Sequence, residues 1–93
     1  MPLITFKGTV KGAAGDLMFM SISGPNHFSF NQGFSSSFTE PLNLIPGNTY
    51  NIAISAHTQG TFTFDAGGTF TSINPAVPDQ FNGKTNESYA LVV

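Results

Sequence analysis

Apolar and polar residues alternate along most of this chain with a period of two, the signature of strands that bury one face. In LITFKGTV, Ile4, Phe6 and Val10 share one face, and Thr5, Lys7 and Thr9 share the other. Gly8 lies on the apolar face, where it leaves room for a neighbour or a bulge. LMFMSIS sets Met18, Met20 and Ile22 on one side but Leu17 and Phe19 on the other. A strand apolar on both faces is ordinarily covered on both. Phe28 and Phe30 flank Ser29 in a short strand. NQGFSSSF reads as a loop, with Phe34, Ser36 and Phe38 sharing one face of an edge segment, and Pro41 favours an edge because it lacks a ladder donor. The most regular run is TYNIAISA, in which Tyr50, Ile52, Ile54 and Ala56 oppose Asn51, Ala53 and Ser55.

Turn chemistry divides these runs. Turns are expected at KGAAGD (residues 11–16), GPN (24–26), IPGN (45–48) and HTQG (57–60). In TFTFDAGGTFTSI the DAGG stretch predicts a hairpin between residues 61–64 and 69–73, with Phe62 and Phe64 in the core. Phe70 and Ile73 have opposite parity, so one of them points outward or follows a bulge. Residues 74–87, with Pro75 and Pro78, show no period. SYALVV then places Tyr89, Leu91 and Val93 together. Strands this frequent predict an all-β chain. The expected fold is a single domain over residues 1–93, a small seven-strand Greek-key β-sandwich, immunoglobulin-like or prealbumin-like.

Charge narrows the function classes. Only 9% of the 93 residues are charged, against a typical ~25%. The basic residues are Lys7, Lys11 and Lys84, and the net charge is -2. Three lysines make no phosphate-tracking stripe, which argues against nucleic acid and against anionic membrane surfaces. No apolar run is long enough for a membrane helix, so no membrane insertion is expected. Without cysteine there is neither a disulfide framework nor thiolate chemistry. The start of the chain lacks the pattern of a signal peptide, and both cytoplasmic and extracellular settings stay open.

Catalytic constellations are not evident. His27 and His57 are the two imidazoles, and neither accompanies a nucleophile elbow. The five carboxylates have no spacing that suggests a paired acid and base. Asp79, Asn82 and Glu87 do not form a calcium-loop pattern, and two histidines do not suffice for zinc. The expectation is a protein that is not an enzyme and has no catalytic residues, metal or cofactor.

Two stretches carry a family resemblance. LIPGNTYNIAISAHTQG, residues 44–60, resembles the Pro-Gly-x-Tyr strand of carboxypeptidase-regulatory-like, or prealbumin-like, β-sandwich domains, through Pro46, Gly47, Tyr50, Ile52, Ile54 and Gly60, with one extra residue before Tyr50. FKGTVKGAAGD, residues 6–16, is similar to the first strand and Gly turn of the same domains. The resemblance implies a seven-strand sandwich used for binding or spacing. Residues 74–87 have no counterpart in it.

The expected function is therefore that of a structural or interaction module acting through protein–protein contact and assembling into a homo-oligomer. Leu17, Phe19, Phe28, Phe30, Phe34 and Phe38 are the candidate contact residues. The alternative is a small carbohydrate-binding, lectin-like module, in which exposed aromatic rings stack on sugars.

Overall fold

A computed structural model describes residues 3–10 and 15–93. Among them are seven strands and no helix: β1 (Leu3–Thr9), β2 (Leu17–Ser23), β3 (Ser29–Phe34), β4 (Phe38–Asn43), β5 (Thr49–Gly68), β6 (Ser72–Asn74) and β7 (Asp79–Val92). The turn expected at residues 11–16 lies for the most part outside the described residues.

The length of β5 dictates the architecture. Its 20 residues would span ~66 Å if straight, at about 3.3 Å per residue. The longest dimension of the molecule is 39 Å. β5 must therefore bend, and its pairing shows where. Residues 49–57 pair with residues 84–92 of β7, and 51–57 of them also with β2. Residues 63–68 pair with β1, and 61–64 pair with residues 79–82 of β7. Both long strands thus pass from one sheet into the other. One sheet has five strands, β3-β2-β5-β7-β6, and the other has four, β4-β1-β5-β7. All pairings are antiparallel.

The corner is a bulge. His57 pairs with Lys84 and Thr61 with Asn82, so residues 58–60 face Gly83 alone. Extra residues on one strand of a pair force a bend and a stronger twist. Gly83 takes φ 65°, a left-handed conformation that glycine adopts without steric cost. The buried Thr58 Oγ1 lies 2.8 Å from the Gly60 carbonyl oxygen and 3.3 Å from that of Gly83, tying the bulge together from within. A second tie crosses the core. Asp79 and Tyr89 are ten residues apart on β7, yet the Tyr89 hydroxyl donates to Asp79 Oδ2 at 2.9 Å. Only a strand folded across the sandwich brings them together. Burial, then the bond to Asp79 and the carboxylates of Asp79 and Glu87, hold the Tyr89 hydroxyl protonated well above the usual tyrosine range.

The inner faces follow the alternation. Ile4, Phe6, Met18, Met20, Ile22, Tyr50, Ile52, Ile54, Phe62, Phe64, Tyr89 and Leu91 are buried in one contiguous core. Phe62 and Phe64 thus point inward, as expected. Gly8 makes room for a neighbour: a Cβ there would collide with the edge of the Phe38 ring, which lies directly across on β4. β4 is an edge strand, as Pro41 suggested. Between β2 and β3, Asn26 and His27 both take positive φ, and the Phe28 amide donates to the Pro25 carbonyl at 3.2 Å, a type I′ hairpin turn.

Several sequence expectations are corrected. HTQG and DAGG do not reverse the chain, because both lie inside β5. The hairpin between residues 61–64 and 69–73 is therefore absent; residues 61–64 pair with β7 instead, and 63–64 with β1 as well. Residues 74–87 are not irregular throughout, since β7 begins at Asp79. NQGFSSSF contains the end of β3 and the start of β4. The sandwich has nine strand segments rather than seven, because β5 and β7 each count in both sheets. Local alternation registers each strand but not a strand that changes partners midway.

Candidate interaction surface

The outer face of the five-stranded sheet is composed of small, uncharged side chains. Register aligns Asn31, Ser21, Ala53 and Ser88 across four strands, and Gly33, Phe19, Ser55 and Asn86 in the next row. A third row runs Ser29, Ser23, Asn51, Ala90 and Asn74. Lys84, at the corner end of the row Leu17–His57–Lys84, is the one charged side chain in these rows among the described residues.

Leu17 and Phe19 break this polar face. They are 48% and 41% exposed, the largest apolar exposures on β2. Both lie against Gly33 of β3, where a Cβ would meet Leu17 Cδ1 at 3.5 Å and Phe19 Cδ2 at 3.6 Å. The missing side chain lets them lean toward the sheet edge. The two-sided apolar character of LMFMSIS therefore has a different resolution from the expected one: the Met18, Met20 and Ile22 side is buried, and the Leu17 and Phe19 side meets solvent.

The four phenylalanines named with them sit differently. Phe28, Phe30, Phe34 and Phe38 are half-buried and pack against the rim of the core. Phe28 meets the Tyr50 ring edge-on at 5.3 Å between centroids. Phe34 of one sheet stacks on Phe38 of the other at 3.8 Å and 11°, closing the sandwich where β3 and β4 form adjoining edges. Phe30 and Phe34 project from β3 on the side that faces Ile22 and Met18. A polar network flanks Phe19: Ser21 Oγ lies 2.7 Å from Asn31 Oδ1, and Asn31 Nδ2 donates to Ser29 Oγ at 3.0 Å.

Among the described residues there is no cavity, and no three histidines or carboxylates gather as a metal site. No helix among them is long and apolar enough to cross a membrane. His27 lies in the β2–β3 turn and His57 on the outer face beside Leu17. Sequence reasoning found Leu17 and Phe19 by their parity. It missed the role of Gly33, whose contact with them depends on β2–β3 register. Compared with protein-family models, curated proteins and solved structures, the chain matches none.

Proposed function

We propose that this protein is a non-enzymatic structural or interaction module that acts through protein–protein contact and associates with itself. The observation that carries this reading is the pair Leu17 and Phe19, exposed on a sheet face almost free of charge. Apolar side chains gathered on a surface mark contact sites more often than scattered ones do. Few charges on the face means little repulsion between two copies brought together. On the inner side of the sheet, the half-buried rim of Phe28, Phe30, Phe34 and Phe38 adds further partly exposed apolar side chains. A Greek-key sandwich, immunoglobulin-like or prealbumin-like, belongs to the same proposal; the resemblance of residues 6–16 and 44–60 to carboxypeptidase-regulatory-like or prealbumin-like domains implies binding or spacing.

Light scattering after size exclusion tests the reading. The wild-type mass is expected above the 9.9 kDa of one chain at micromolar concentration, and Phe19→Ser is expected to lower it. A wild-type mass of one chain at high concentration, unmoved by Phe19→Ser, rejects self-association.

A second reading, a small carbohydrate-binding module, draws on the Ser21–Asn31–Ser29 network beside the Phe19 ring. A ring next to hydrogen-bonding groups suits a sugar face. A glycan array with wild type and Phe19→Ser separates the two readings.

A further inference from the structure

We infer that the free edge of β3 pairs with β3 of a second copy, antiparallel about a two-fold axis through Gln32, joining two five-stranded sheets into one; this rests on the self-association proposed above. The four edges of the sandwich differ in how they resist strand addition. Natural edges are blunted by shortness, proline, charge or bulges. β4 carries Glu40 and Pro41. β6 is three residues long and precedes Pro75. The edge segment of β7, residues 79–82, opens on Asp79 and runs into the bulge at Gly83. β3, with the sequence SFNQGF, has six residues and none of these protections. It pairs with β2 alone among the described strands.

The occupant follows from symmetry. A two-fold axis pairs an edge with the same edge of its copy, so charges carried by that edge are brought near like charges. β3 has no charge to oppose. Antiparallel partners also lie on the same face of a sheet, so the residue numbers of each pair must sum to an even number here. Centred on Gln32, that sum is 64. Phe30 then faces Phe34 of the second copy, and Asn31 faces Gly33 of the second copy. Both phenylalanines are half-buried at the rim, and this register sets each against the other across the seam. Gln32, exposed between them, meets its own copy, and two amides can exchange hydrogen bonds. Leu17 and Phe19, resting on Gly33, flank the new seam.

The absence of native cysteine makes the test direct. Residues directly opposite in antiparallel strands have Cα atoms ~4.5–5.5 Å apart, within the span of a disulfide. Gln32→Cys, mildly oxidised at micromolar concentration, is expected to give a covalent dimer in high yield. Ser72→Cys, on the opposite edge β6, is expected to give little. Gln32→Lys sets like charges on the axis and is expected to shift the light-scattering mass to one chain, with an unchanged far-ultraviolet circular dichroism spectrum. An oligomeric wild type, with no preferential Gln32→Cys dimer and no change on Gln32→Lys, overturns the β3 pairing but leaves self-association standing. A monomeric wild type that also fails to cross-link through Gln32→Cys overturns both.

Discussion

The two sheets share β5 and β7, yet they bury and expose different chemistry. The four-stranded sheet packs Phe6, Phe62, Phe64 and Phe81 inward, with Phe6 and Phe64 stacked at 6.1 Å and Phe62 and Phe81 at 4.9 Å. The five-stranded sheet contributes Met18, Met20, Ile22, Ile52, Ile54 and Leu91, with two rings, Tyr50 and Tyr89. Outside, the contrast reverses. The smaller sheet shows Thr5, Lys7, Thr9, Thr39 and Asp65, with Lys7 and Asp65 opposite each other in register. The larger one shows small polar residues and the exposed pair Leu17 and Phe19. A narrow sheet fills its half of the core with rings. The wide sheet does so mainly with aliphatic chains, joined by the Tyr50 and Tyr89 rings.

The largest expected effects are in the aromatic sheet. Phe62→Ala and Phe64→Ala should each cost about 3–5 kcal/mol in denaturant unfolding, from lost transfer energy and the cavity left behind. Ile54→Val, in the aliphatic sheet, should cost only about 0.5–1.5 kcal/mol. Losses below ~1 kcal/mol at both phenylalanines would remove the contrast between the sheets.

Next in size is the close approach at Gly8. Gly8→Ala should cost about 1–3 kcal/mol, because the methyl group displaces the Phe38 ring. In combination with Phe38→Ala the penalty should be markedly less than additive, which a double-mutant cycle measures. Additive losses would mean that the two residues do not compete for one space.

A smaller effect attaches to the tie between the sheets. Tyr89→Phe should cost about 1–2 kcal/mol near neutral pH, the scale of a hydrogen bond to a carboxylate. Its pH dependence is more telling. The folded protein keeps Tyr89 protonated above its ordinary range, whereas the unfolded chain ionises it near pH ~10. The unfolded state then binds fewer protons, so the stabilisation is fully present below that pH and declines as pH rises beyond it. Melts of wild type and Tyr89→Phe should therefore converge in strong alkali. A gap that widens there would contradict the sign.

The smallest stability effect belongs to the outward face. Phe19→Ser should change unfolding free energy by no more than ~0.5 kcal/mol, as surface substitutions do. Its consequence is expected in the mass by light scattering, so the two readouts should separate cleanly. A loss of several kcal/mol would place Phe19 among the folding residues and not on a contact surface.

The sequence by itself determined the strand character and the inward face of nearly every strand. Tyr50, Ile52, Ile54, Phe62, Phe64, Tyr89 and Leu91 are buried as parity alone requires, because side chains in a strand can point only two ways. The same rule set Leu17 and Phe19 opposite Met18, Met20 and Ile22. What parity cannot encode is which strand lies alongside. HTQG and DAGG have the composition of turns, yet both continue within β5, because pairing with β7 on either side of HTQG and with β1 along DAGG outweighs a local preference. The change of sheet at residues 58–60 rests on three residues facing Gly83, a residue 23 positions beyond Gly60 in the chain. The same holds for Asp79 meeting Tyr89, for Phe38 filling the space above Gly8, and for Gly33 receiving Leu17 and Phe19. Each depends on how strands bend and in what register they lie alongside one another, and only the tertiary structure fixes that, because register and sheet order are set by all the strands packing at once.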